Sequence, residues 1–229
     1  MTLGLSSSAG SRSASLHVPY LIQPNENDCQ STCLKMFAMY LERSGVAPAG
    51  KSADTLEIGD IRQAINHSAE RPDKKNHNSH ENMRWWLGRQ FPGLSFVRHT
   101  FTDGAAAVEE IIDFVDQGMP VIVSVSHARV KGHIVIVVGY ENYRPYQSSA
   151  EFRLLVHDPY GSFDPALLSN LHSKKRTYGA ASLARGGEQG PGMNCRLPLT
   201  AVSRHRAGDK ASGTYYLISA QKLYCEAEG

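Results

Sequence analysis

The chain has 229 residues, 41% hydrophobic and 20% charged, a globular balance that excludes a disordered or collagen-like polymer. Its net charge of +2 calls for no obligatory polyanion partner, and no apolar run approaches a membrane span, so one compact soluble domain, or at most two small ones, is expected. Four cysteines, at 29, 33, 195 and 225, are too sparse for a disulfide scaffold and lack C-x-x-C pairing, which argues against structural zinc and leaves at least one thiol for another task.

Residues 1–16 open with MTLGLSSSAGSRSAS, small and polar, with Arg12 where a secretory peptide needs its apolar core. They are expected to form a flexible tail without a classical signal peptide. The protein is then cytoplasmic as synthesised, and any delivery outward would use a non-classical route. The remaining 17–225 are expected to form a single domain.

An extended VPYLIQ at 18–23 runs into the polar turn PNEND and then CQSTCLKMFAMYLERSG, whose Cys29, Cys33, Met36, Phe37, Tyr40 and Leu41 recur at helical spacing. The pattern predicts a helix with one buried stripe, capped by Asn27 or Asp28 and stopped near Gly45. Weaker helical patterns follow at 55–66 and 80–90, separated by HSAERPDKKNHNSH, which is too polar to bury and is expected to loop out. AAAVEEIIDFVDQG at 105–118 is a stronger helix. PVIVSVS at 120–126, HIVIVVGY at 133–140, FRLLVHD at 152–158 and TYYLISA at 214–220 are short, rich in β-branched and aromatic residues and bounded by turns, so they read as strands. Helices first and an antiparallel sheet second make an α+β fold.

Between 172 and 210 eight Lys or Arg face two acids, giving this segment +6 while the rest carries −4. It reads as a basic, Gly-rich insertion: either a solvated loop or a contact for an anionic partner. No specific nucleic-acid motif accompanies it.

Cys29 falls at the first turn of its helix, where unpaired backbone N–H groups and the helix dipole favour a thiolate. A lone cysteine there is more often a small core residue. Gln23, six residues upstream across the turn, could join the Cys29 N–H as a donor to a developing oxyanion. His133 opens an apolar strand directly after Gly132, and a polar ring at such a strand mouth needs a partner. Asp158 ends FRLLVHD on the face of Phe152, Leu154 and Val156, with His157 pointing the other way. Antiparallel pairing of these two strands brings His133 next to Asp158, which would satisfy the carboxylate and fix the imidazole tautomer.

VPYLIQPNENDCQSTCLKMFAMYL, GMPVIVSVS, GHIVIVVGY and VHDPYG together resemble the papain-like cysteine peptidases of the bacteriocin-processing type, peptidase family thirty-nine, and their stand-alone relatives, over about residues 17–161. The resemblance implies a nucleophile-bearing central helix packed on an antiparallel sheet. It also implies Cys29 as nucleophile, His133 as general base and acid, Asp158 as its orienter and Gln23 as oxyanion donor, with no metal or organic cofactor. Relatives have glycine after the cysteine, whereas this chain has Gln30, which is expected to crowd or reshape the substrate groove. The transporter-linked members continue into a membrane-spanning exporter that is missing here, so leader cleavage during export is not expected.

Three functions fit: a cysteine peptidase acting on polypeptide, a peptidoglycan amidase or endopeptidase acting as a toxin or lysis effector, and a non-catalytic binding module on the same scaffold. Among the other residues, Cys33 reads as core packing and His127 as a weaker substitute base. His67, His77 and His80 read as solvent-exposed, and at most one of Trp85 and Trp86 as a core anchor. A disulfide between Cys195 and Cys225 is not called for.

Overall fold

The computed structural model describes residues 10–25, 27–46, 52–125, 133–144, 151–159, 163–164, 169–170, 192–197 and 215–221. The elements run β1 Arg12–Ser15, α1 Cys29–Arg43, a 3₁₀ turn Ala53–Thr55, α2 Ile58–His67, α3 His80–Gln90, β2 Ser95–Phe101, α4 Gly104–Asp116, β3 Val121–Val125, β4 His133–Tyr143, β5 Arg153–His157, β6 Phe163–Asp164, β7 Ser169–Asn170, β8 Cys195–Leu197 and β9 Tyr215–Gln221. A seven-stranded sheet has the order β2-β9-β3-β4-β5-β8, with β1 added on β4, and every pairing is antiparallel.

β4 is the spine of the sheet. His133 to Tyr140 are all buried, as expected of a run of Ile and Val covered on both faces. β5 pairs along one edge from Ile136↔His157 to Glu141↔Arg153. β3 and β1 share the other edge end to end, β3 opposite His133 to Val137 and β1 opposite Gly139 to Tyr143. Gly139 is required there: a Cβ would collide with the Ala14 carbonyl and lie 2.9 Å from the Ser15 Cα.

α1 packs on β4, α2 and α3, burying Cys33, Leu34, Met36, Phe37, Ala38 and Leu41. It ends in a Schellman turn, with Val46 N–H on Leu41 O (3.1 Å), Gly45 N–H on Glu42 O (3.1 Å) and Gly45 at φ 68°, which only glycine adopts without cost. α4 packs against β9, β4 and β2.

Several expectations change. Arg12–Ser15, read with the tail, form β1, because Gly139 opens the β4 edge to them. Strand β2 was not anticipated, and it sits between α3 and α4, so helices and strands are not strictly segregated; its polar alternation is fixed by full-length pairing with β9, distant in sequence. Within the basic insertion, Cys195–Leu197 form β8 on β5, while the rest of 172–210 lies outside the described residues, as do His127 and Cys225. The loop between α2 and α3 is exposed or half-buried throughout, as expected, but it is anchored at its base. Asn82, fully buried, accepts from Asp73 N and donates to Ile65 O and Asp73 O, each at 2.9 Å. His157, read as facing away from the buried side, is itself 1% exposed. Trp86 is buried and Trp85 half-buried beneath Arg89. Among the described residues no helix is long and apolar enough to cross a membrane.

Candidate active site

Cys29 is the first residue of α1 and half-buried, with no disulfide. α3 and α4 are capped by the side chains of Ser79 and Asp103, but Asp28, in the cap position of α1, gives its helix no side-chain bond. Its carboxylate, 1% exposed, turns instead to Arg62 Nη1 (3.2 Å) and Asn25 Nδ2 (2.6 Å). The first-turn N–H groups around Cys29 are therefore left uncapped by Asp28, and the guanidinium balances a carboxylate that would otherwise repel a thiolate next door.

β4 begins at His133 and β5 ends one residue before Asp158, and their register brings these positions together. His133 Nε2 lies 2.7 Å from Asp158 Oδ1, with His133 2% and Asp158 0% exposed. Cys29 is near enough to the same ring to favour its charged form. Burial is the largest influence on His133 and disfavours its charge, but Asp158 and, after it, Cys29 outweigh it, raising its pKa to about 10.

Cys33, one turn along α1, has the opposite environment. It is fully buried, its Sγ donates to Ile134 O at 3.6 Å, and burial pushes its thiol pKa well up, with Cys29 and Asp158 adding to the effect.

Gln23 sits beside the pair: its backbone N–H donates to Pro159 O (2.8 Å). It is fully buried, and its Nε2 donates to Asn25 O (2.6 Å), so the turn after it covers the amide in this conformation. Its Oε1 has no partner among the described residues. Gln30 is 6% exposed and turned inward, its Nε2 donating to Asn78 O at 2.7 Å. Asn78, at φ 61°, is held in turn by Asn66 Oδ1, which accepts its N–H at 2.6 Å. The helix carrying Cys29 is thus latched to the loop before α3.

Residues missed from sequence cluster around this pair. His80, expected in solvent, is half-buried, with Nε2 2.9 Å from Ser124 Oγ and its ring stacked on Tyr216 at 4.8 Å. Tyr20 and His157 pack edge to face beside Asp158, with centroids 5.5 Å apart. Asp28 carried a cap signal, but its bond to Arg62 had none.

The fold matches that of UfSP from C. elegans with a TM-score of 0.52 at 13% identity, covering 92% of this chain and 34% of that one. A Bacillus anthracis structure described as C39-like aligns with a TM-score of 0.46 at 14% identity, covering 92% of this chain and 98% of that one. No curated protein matches the sequence. A family model matches residues 15–181, and the class it defines is that of cysteine-type peptidases on a papain-like fold. The chain belongs to the Peptidase_C39 like family.

Proposed function

We propose that the protein hydrolyses an amide bond in a polypeptide with Cys29 as nucleophile and His133 and Asp158 as its partners. The supporting observation is the buried His133 ring, held by Asp158 at 2.7 Å on one nitrogen, with Cys29 near enough to favour its charged form. The raised His133 pKa keeps the ring protonated at neutral pH; in the proposed reaction the Cys29 thiolate attacks the substrate carbonyl carbon and a tetrahedral oxyanion forms. The Cys29 N–H, at an uncapped helix start, and the Gln23 amide donate to that oxygen. For Gln23 this means its second amide hydrogen, or the substrate oxygen taking the place of Asn25 O. The His133 imidazolium gives its proton to the leaving amine as the C–N bond breaks, leaving a thioester. Neutral His133 then takes a proton from water, hydroxide adds to the thioester, and the acid departs with the Cys29 thiolate restored. Asp158 holds the ring in the orientation that serves both transfers.

The test is alkylation of Cys29 by iodoacetamide between about pH 4 and 9, followed by mass spectrometry, on the native protein and on His133→Ala. Selective labelling of Cys29 well below about pH 8, lost or shifted upward in the variant, is expected. Slow labelling with an ordinary thiol profile in both proteins would sink the proposal and favour a binding module. With an activated thiolate in hand, peptide and peptidoglycan substrates compared side by side decide which amide is cut.

A further inference from the structure

Asp158 follows the last residue of β5, where ladder pairing no longer fixes its backbone, yet its carboxylate must stay in line with the His133 ring. Three hydrogen bonds close a ring around it. The Asp158 N–H donates to Gly192 O (2.8 Å), the Gly192 N–H donates to Tyr20 Oη (3.2 Å), and the Tyr20 hydroxyl donates to Asp158 O (3.1 Å). Tyr20 is 4% exposed, and burial, with Asp158 adding to it, pushes its pKa well up, so the hydroxyl keeps its proton. The other titratable groups acting on it are Cys195 and Cys33.

His157 supports the same ring from the preceding position. Its Nε2 lies 2.9 Å from Val18 O, and its Nδ1 accepts from Asn194 N at 3.2 Å. A carbonyl cannot donate and an N–H cannot accept, so this is the neutral Nε2–H tautomer, and burial lowers the pKa of His157 in agreement. One side chain ties residues 192–194 to the strand end, and the other ties both to the segment that leads to Gln23.

We propose that Tyr20 is a positioning residue for Asp158, its hydroxyl locking the Asp158 backbone to Gly192 so that the carboxylate stays on His133. The inference rests on the proposed triad. Packing does not require the hydroxyl, since phenylalanine fills the same volume. Geometry does, because a displacement of about 1 Å in a catalytic group costs roughly a hundredfold in rate.

A double-mutant cycle of Tyr20→Phe and Asp158→Asn, read as the Cys29 alkylation rate by iodoacetamide against pH, tests it. Tyr20→Phe is expected to slow alkylation about tenfold or more near pH 5–6 and shift the profile upward, with little further effect when Asp158 is already Asn. A lower melting temperature with an unchanged profile makes Tyr20 merely structural and overturns the proposal, as does full additivity in the double variant. If Asp158→Asn itself leaves the profile unchanged, the triad falls and the inference with it; a normal profile in Tyr20→Phe alone overturns only the inference. Should Tyr20→Phe fail to fold, His157→Gln keeps an amide N–H for Val18 O and moves its acceptor oxygen off the Nδ1 position that receives the Asn194 N–H. It is expected to shift the profile in the same direction, and no shift overturns the proposal.

Discussion

The first turn of α1 and the ends of β4 and β5 meet at the same site but are held in different ways. The register of β4 and β5 brings His133 close to Asp158, and the hydrogen-bonded ring with Gly192 and Tyr20 holds the Asp158 backbone just past the strand end. Asp28, Cys29 and Gln30 sit at a helix start whose neighbours come from far along the chain: Arg62 in α2 and Asn78 in the loop before α3. The strand side starts from a register that the sequence pattern carries, and the helix side from side chains that bridge separate elements.

The largest effect that sharpens this contrast is at the nucleophile. Cys29→Ala is expected to abolish turnover and leave the melting temperature within a few degrees, because the side chain is half-buried at a helix end. A collapsed fold in the thermal melt would place Cys29 with Cys33 in the core instead.

The strand side has a pH signature. Because the folded pKa of His133 is raised to about 10, the stability it contributes as a cation is fully present below its unfolded value of roughly 6.5 and is lost as pH rises through the folded value. The stability gap between wild type and His133→Ala is expected to be widest below about pH 6.5 and to narrow up to about pH 10 in denaturant titrations. A gap that widens with pH would mean the ring is neutral in the fold.

On the helix side, Arg62→Ala leaves the Asp28 carboxylate buried with Asn25 as its remaining partner. Arg62 is itself 43% exposed, so the cost should fall below that of a fully buried pair, at about 1–3 kcal/mol in chemical denaturation. Arg62→Ala together with Asp28→Asn should recover part of it. Loss of less than about 0.5 kcal/mol would show that the pair is only a surface contact. The smallest effect is expected at Gln30. Gln30→Gly removes the bond to Asn78 O and adds backbone freedom, for about 1–2 kcal/mol together. Hydrogen exchange should quicken over 68–79 while Cys29 alkylation changes little. Unchanged exchange there would sever the latch.

The pattern of legibility follows the same division. The helical stripe from Cys33 to Leu41 and the apolar runs of β3, β4, β5 and β9 repeat at the periods of their elements, so they could be read without a partner in view. β2 could not, because SFVRHTF mixes polar and apolar residues and becomes a strand through β9. β1 depends on the absent side chain of Gly139, more than a hundred residues away. Asn66 and Asn82 fall at the inner ends of the two weaker helical patterns with no signal that they are buried, yet they pin the backbone of the loop between them.

By itself the sequence determined the helix that begins at Cys29, the strand that begins at His133, a strand placed at 152–158 that in the structure ends one residue short of Asp158, and the antiparallel pairing that brings His133 toward Asp158. Periodicity and antiparallel closure are local rules, and the chain carries them in its order. Only the tertiary structure decided that Asp28 faces Arg62, that Gln30 turns inward to Asn78 O, that the Gln23 amide is covered by its own turn, and that Tyr20 and Gly192 enclose the Asp158 backbone. Those contacts join residues up to 172 positions apart. A buried polar group must find a partner, but which one depends on where the folded chain brings each donor and acceptor.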